Sequence, residues 1–175
     1  TYIIYYLIGQ VAYSTALGLK MLTLTNYLNF TDSAATKYFL IIGILADIIG
    51  IVALKFLTPK NDYITITIKF GIRFLGYTLA FLSNNIVVVI RAMSWSLLVS
   101  TAYENVTYAP YINSIELDKQ LAYTNLRYMV GSLGEAIGTF LCGIMYAIGL
   151  RYMFGLSAFF MLAQLTLAYI LIHQR

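Results

Sequence analysis

The sequence predicts an all-α membrane protein, a bundle of six transmembrane helices, on three observations. Of its 175 residues, 61% are hydrophobic and 10% are charged, whereas a soluble domain usually carries about 25% charged residues. The mean hydropathy is +0.79. Apolar runs that reach the length of a membrane-crossing helix, about 20 residues, follow one another along the chain. Too little polar surface remains to keep a globule of this size in water.

Six apolar segments satisfy the length requirement of a transmembrane helix. Short polar stretches with the composition of turns, such as NFTDSAATK, LTPKND and NSIELDKQ, separate them. We expect helices at about 2–28, 36–57, 63–82, 86–108, 121–148 and 151–172. The first segment is longer than a span requires and contains Lys20, so we expect it to tilt or to end early.

Basic residues indicate the orientation, because cytoplasmic loops carry an excess of Lys and Arg. One side of the six-helix arrangement receives Lys55, Lys60, Lys69, Lys119, Arg127 and Arg175, and the other receives Lys37, Arg91 and Arg151. We therefore expect both termini to be cytoplasmic, in a plasma membrane or a cell inner membrane. The basic residues are scattered and not clustered, so a nucleic-acid partner is not expected.

Of the charged residues inside the expected spans, three lie nearer the middle of the membrane than its edge. Asp47, Arg73 and Glu135 lie about 16, 15 and 21 Å from the starts of their helices. Glu104 lies closer to the cytoplasmic side. A charge at the bilayer centre costs at least about 2.5–3.5 kcal/mol, so these four side chains are the candidates for binding a solute or coupling protons. The alternative is a structural ion pair of Arg73 with Glu135 or Asp47.

Glycines surround Glu135 in the stretch GSLGEAIGTFLCG. Gly134 and Gly138 form a GxxxG pair, a spacing that lets helix backbones approach closely. Gly131 and Gly143 flank this pair. We expect the four glycines at a helix contact, with Glu135 on or beside the packing face and turned away from lipid. Tight packing without a further role is the simpler interpretation of the same pattern.

Motifs that carry catalytic or cofactor chemistry are missing. The chain has no HExxH, GxSxG, P-loop or GxGxxG motif, and it has one histidine and one cysteine. An enzyme, a metal and a cofactor are therefore not expected, and Cys142 is interpreted as a core residue. Trp95 follows Arg91 by one helical turn, so the pair can stack by a cation–π interaction at a cavity. The alternative for Trp95 is an anchor at the membrane interface.

Several features resemble a known family. The segment YTNLRYMVGSLGEAIGTFLCGIMYAIGLRYMFGLSAFF has a charged start, glycines along one helix, a tight AIGLR turn and an aromatic YMF opening the next helix. Further upstream, IRFLG surrounds Arg73. The chain thereby resembles six helices of the major facilitator superfamily, most closely the C-terminal half of its lactose-permease-like branch. The resemblance covers most of the chain through loose motifs, and LTPKND is a faint echo of the family's basic loop signature.

The resemblance implies a fold and a function. The family's transporters have two six-helix halves, each built of inverted three-helix repeats, with substrate bound between the halves. The single domain 1–175 would then be one half, with repeats at about 1–83 and 84–175. The implied function is half of a secondary active transporter for proton-coupled uptake or efflux of a small polar solute such as a sugar. The implied partners are the lipid bilayer, a second six-helix half, the solute and protons.

The resemblance also assigns a role to Arg73, which matches a cavity arginine implicated in proton coupling. Where the branch carries a histidine and, one turn later, a glutamate, this chain has Ser94 and Leu97. Asp47 or Glu135 would then substitute in proton coupling, or the protein is an uncoupled facilitator. The alternative function is a non-transporting membrane scaffold or accessory subunit whose intramembrane charges form structural ion pairs.

Overall fold

The computed structural model of the chain describes residues 2–56, 62–83, 85, 87–89, 91, 94, 112–113 and 115–173. Its helices in these ranges are α1 Tyr2–Leu17, α2 Lys20–Leu28, α3 Asp32–Phe56, α4 Asp62–Leu82, α5 Leu117–Ile148 and α6 Leu150–His173. The described residues contain no strand. The predicted all-α class is confirmed for this part of the chain.

Four of the predicted spans correspond to helices whose bounds differ by a few residues, namely α3, α4, α5 and α6. The predicted span at 86–108 falls mostly outside the described residues, of which 87–89 are helical. Two helical stretches in the described ranges have both the length and the apolar composition to cross a membrane, Leu117–Ile148 and Leu150–Ile170.

The first predicted span, 2–28, forms two helices and not one. A turn at Gly18 and Leu19 separates α1 from α2. Glycine is about 1 kcal/mol less favourable than alanine inside a helix, and here its missing side chain admits a neighbour. A Cβ on Gly18 would lie 3.1 Å from the Cα of Thr139 in α5. The close approach of α5 therefore coincides with the interruption.

α1 and α6 form the centre of the described bundle. α1 packs against α5 on one side and α6 on another, and α6 also packs against α4. Small side chains permit this, since α1 buries Ala12, Ser14, Thr15 and Ala16. Larger side chains fill the space where α1, α4 and α6 meet, and the largest fully buried ones are Phe70, Tyr77, Met153, Phe154 and Met161.

α2 and α3 form a smaller contact at one end of the bundle. Leu24 and Ala35 are fully buried there, beneath partly buried neighbours that include Phe30 and Tyr38. Asn29 ends α2 in the left-handed conformation, with φ 53°, and its N–H donates to the Leu24 carbonyl. Asparagine tolerates this conformation better than most residues because its short polar side chain can bond locally. The chain thus reverses direction between α2 and α3.

Candidate functional site

The buried face of α4 carries a charge. Phe70, Arg73, Tyr77 and Ala80 recur at helical spacing on one face, and Arg73 is only 4% exposed. The opposite face is aliphatic, with Leu75, Leu79 and Leu82 57–69% exposed. A surface helix of a water-soluble protein has the reverse order, with charges outside and apolar residues inside.

The Arg73 guanidinium lies beside α1. Its Cζ is 5.9 Å from the ring centroid of Tyr13, which is within the range of a cation–π interaction. Its Nε has no hydrogen-bond partner among the described residues. Within the described residues, exposed Lys119 and Glu116 form an ion pair. Arg73 forms no ion pair with any described carboxylate. The bundle interior therefore holds a positive charge that the described carboxylates do not neutralise.

Side-chain contacts establish the relative heights of α1, α4 and α6. The rings of Tyr5 and Phe70 meet edge to face, with centroids 5.9 Å apart, and the Gln164 amide donates to the Tyr5 carbonyl at 3.2 Å. At the other end of this contact, the rings of Tyr77 and Phe154 lie 6.3 Å apart. Because residue numbers rise along α4 as they fall along α6, these two helices are antiparallel.

A polar layer extends from the Tyr77–Phe154 contact towards the Tyr5–Phe70 contact, and we define it as Tyr13, Arg73, Tyr77 and Ser157. Arg73 is one turn from Tyr77, and Ser157 is one turn from Phe154 in the direction of Gln164. Ser157 is fully buried, and its Oγ has no hydrogen-bond partner within the described part of the chain. The polar layer offers N–H and O–H donors and an aromatic face. None of its four residues carries a carboxylate or an imidazole.

Asp47 and Glu135 do not join Arg73. Both are exposed, Asp47 on α3 and Glu135 on α5, and neither forms an ion pair in the described part of the chain. The alternative of a structural ion pair between Arg73 and either carboxylate is not seen among the described residues. Glu135 was expected on or beside the packing face: it lies beside that face, next to buried Gly134, but its side chain is exposed. Neighbouring residues differ by about 100° around a helix, so the contact that buries Gly134 leaves Glu135 outside it.

Gly134 and Gly138 are buried where α5 meets α1. A Cβ on Gly138 would lie 2.6 Å from the carbonyl oxygen of Val11 and 2.7 Å from the Cβ of Ser14. A Cβ on Gly134 would lie 2.7 Å from the Cβ of Gln10. These distances are too short for a side chain, so the two glycines allow the two backbones to approach.

The two flanking glycines differ from each other. A Cβ on Gly131 would lie 3.3 Å from the Tyr6 ring, whereas a Cβ on Gly143 would meet no heavy atom of the described residues within 4 Å. Tyr6 is also covered by the Arg127 guanidinium, whose Cζ is 4.7 Å from the ring centroid. Gly131 therefore borders the contact, and Gly143 lies away from it.

The remaining predicted residues belong to the fourth segment. Arg91 is exposed. Trp95, Leu97 and Glu104 lie outside the described residues, so the expected stacking of Arg91 with Trp95 and the candidate role of Glu104 stay predictions. Ser94 is described, and its hydroxyl shares a hydrogen bond with the hydroxyl of Tyr38 in α3. This bond joins Ser94 to α3.

Gln164 is a buried polar residue that the sequence analysis did not single out. It is 4% exposed, and a Cβ on Gly9 would lie 2.0 Å from its Nε2. Gly9 thus provides the space in which Gln164 reaches the α1 backbone. The signal in the sequence is an isolated amide in the apolar run FFMLAQLTLAY. Tyr13 and Ser157 were also missed, because each is common in helices of every kind.

No group of three or more His, Cys, Asp or Glu side chains is placed to hold a metal ion within the described residues. Cys142 is fully buried, and its thiol contacts the Met153 sulfur at 3.5 Å. This contact joins α5 to α6 as ordinary core packing does.

Comparison with known proteins adds no relative: no family model, curated protein or solved structure matches the chain. The resemblance to the major facilitator superfamily therefore stays an expectation from the residues quoted above.

Proposed function

We propose that the chain is one six-helix half of a secondary active membrane transporter that works by alternating access, with Arg73 in the path of the solute. The observation that carries the proposal is the position of Arg73. Its side chain is 4% exposed on the inner face of α4, whose outer face is aliphatic. Arginine is almost never fully buried in soluble proteins unless it is paired. In membrane proteins, buried charges face the bundle interior and mark solute and ion pathways.

The outer face of α5 supports a location in the bilayer. A stripe of large apolar side chains runs along it, 40–71% exposed, formed by Met129, Leu133, Ile137, Phe140 and Ile144. In the most apolar windows of α5 and α6, 22% and 39% of the residues are buried within the chain. The core helix of a soluble protein is mostly buried, so these two helices need a further apolar covering. Lipid and a second half would supply it.

The exposed carboxylates support the need for a second half. Asp47 lies on α3 among Ile44, Ile48 and Ile51, which are 51–69% exposed, and Glu135 lies on exposed α5. A charged carboxylate facing lipid at mid-span costs about 2.5 kcal/mol or more. A second six-helix half, in the same native chain or in a partner subunit, would cover these positions with polar groups.

The proposed cycle assigns different tasks to the charges. The two halves rock against each other and expose the solute to one side of the membrane at a time. Arg73 binds the solute within this half. Asp47, Glu135 and Glu104 are the candidates for taking up a proton when the path opens to one side and releasing it when the path opens to the other.

Proton-driven uptake into proteoliposomes tests the proposal. With the full-length protein, a pH gradient should drive solute uptake, and Arg73→Gln should reduce it at least about tenfold, as expected for the loss of a charged hydrogen bond. Glu135→Gln should uncouple uptake from the gradient. Arg151→Gln is the matched control, because Arg151 is exposed and contacts the neighbouring Tyr152. Normal insertion without uptake in the wild type would favour the scaffold alternative.

A further inference from the structure

We propose that the solute is a small carboxylate-bearing monoanion, bound at the polar layer through Arg73. The proposal rests on the transport function proposed above and names the substrate class of that same site. Three features of the polar layer carry it: the positive charge of Arg73, the Nε of Arg73, which has no hydrogen-bond partner among the described residues, and the Ser157 hydroxyl.

The charge comes first. Arg73 is the buried charged residue of the described bundle, and the mid-span carboxylates Asp47 and Glu135 lie on exposed faces. Removing a guanidinium from water is costly unless an opposite charge is supplied. A neutral sugar does not supply that charge, and an organic cation would add to the imbalance. An anionic solute neutralises the polar layer when it binds.

The geometry at Arg73 selects among anions. The Tyr13 ring is 5.9 Å from the guanidinium carbon, and the Nε has no hydrogen-bond partner among the described residues. Nε–H and a neighbouring Nη–H form a parallel pair of donors that matches the two oxygens of a carboxylate. A phosphate ester carries about −1.5 to −2 charge at neutral pH, which a single arginine does not balance. A monocarboxylate matches both the parallel pair of N–H donors and the single positive charge of Arg73.

The Ser157 hydroxyl extends the site. Ser157 lies on the antiparallel helix α6 between the Tyr77–Phe154 contact and the Gln164–Tyr5 contact, the interval that also contains Arg73 on α4. Its Oγ is buried without a hydrogen-bond partner among the described residues. A hydroxyl can donate to a carboxylate oxygen or accept from a substituent of the solute. The residue therefore favours a carboxylate that carries a second small polar group, such as a hydroxy acid.

The test uses the full-length protein in proteoliposomes and radiolabelled acetate, lactate, glucose and tetraethylammonium. Saturable uptake of lactate or acetate, without uptake of glucose or tetraethylammonium, is the expected result. Uptake of glucose or tetraethylammonium without either carboxylate would overturn the substrate class while leaving the transport function in place. Uptake of none of the four would count against the transport function itself.

Variants give a second readout. Arg73→Lys keeps the positive charge but loses the parallel pair of N–H donors, so carboxylate uptake should fall about 10- to 100-fold. Arg151→Lys is the control and should leave uptake unchanged. Ser157→Ala should weaken lactate more than acetate. If Arg73→Gln with Glu104→Gln restores the uptake that Arg73→Gln alone removes, Glu104 is the partner of Arg73 and the anion proposal is wrong.

Discussion

Some of the buried polar side chains in the described part of the bundle donate hydrogen bonds to backbone carbonyls. Thr15 donates its hydroxyl to the Val11 carbonyl at 2.7 Å, one turn back on its own helix. Gln164 donates to the Tyr5 carbonyl on a neighbouring helix. Such bonds neutralise a hydroxyl or an amide at little cost, but they do not neutralise a full charge. Among the described buried residues, Arg73 is the one that carries a full charge, and its Nε has no hydrogen-bond partner there.

The fit of Gln164 against Gly9 leads to a stability prediction. Gly9→Ala places a methyl group where the Gln164 amide lies, so the bond to the Tyr5 carbonyl should be lost. We expect a cost of about 1 kcal/mol in unfolding free energy. Adding Gln164→Ala to Gly9→Ala should cost less than the sum of the single changes, because both act on the same contact. Denaturation of the purified protein in detergent measures this, and simple additivity would contradict it.

The contact between α1 and α5 is an arrangement of small residues on two helices. Without a hydrophobic driving force inside a bilayer, such helices associate through close packing of their backbones. Val11 and Ser14 on α1 lie against Gly138, and Gln10 lies against Gly134. The contact with α1 is thus made along one stripe of α5, while the stripe that carries Leu133, Ile137 and Phe140 is exposed.

This contact predicts opposite outcomes for two glycines of the same helix. Gly138→Ala would bring a methyl group within 2.6 Å of a backbone oxygen, so α1 and α5 must separate, at a cost of about 1–3 kcal/mol. Gly143→Ala meets open space among the described residues, so it should be neutral or stabilising by up to about 1 kcal/mol. The melting temperatures of the two variants give the comparison, and equal effects would show that the contact is misassigned.

Much of the helix arrangement follows from apolar run lengths and polar punctuation, which depend on local sequence. The predicted bounds of α3 to α6 are close to the observed ones for that reason. The first segment was expected to tilt or to end early, and α1 ends at Leu17. The exact position of the break at Gly18 could not be predicted, since it involves Thr139, which is distant in sequence. The difference between Gly138 and Gly143 depends likewise on which stripe of α5 meets α1.

For the candidate site too, local sequence predicts some features, and others depend on how the helices pack. The apolar segment around Arg73 marks it as a candidate, as the segments around Asp47 and Glu135 mark those residues, but its burial depends on which face of α4 meets α1 and α6. That Asp47 and Glu135 do not meet it could not be predicted, because depth along a helix does not determine the face on which a side chain lies. Their exposure becomes apparent only when the helices are assembled.

At the scale of the whole molecule, the effect of a Glu135 substitution on stability tests whether a second six-helix half covers α5. If polar groups of that half pair with Glu135, Glu135→Leu should destabilise the full-length protein by about 3–5 kcal/mol. Ser132→Leu, a neighbouring exposed position on α5, should have little effect. Unfolding in detergent measures both variants. A more stable Glu135→Leu protein would mean that Glu135 faces lipid and that no partner covers it.

The central claim is that the charged face of α4 points inward while its aliphatic face points into lipid. Spin labels at Leu79→Cys and Ile144→Cys, in a Cys142→Ala background and a lipid bilayer, test it most directly. We expect both labels to collide often with oxygen, which dissolves in hydrocarbon, and rarely with a water-soluble nickel chelate. A label at Glu116→Cys, in the exposed segment before α5, should show the opposite preference. Frequent collisions of the chelate at all three positions would contradict the membrane assignment and the transport function built on it.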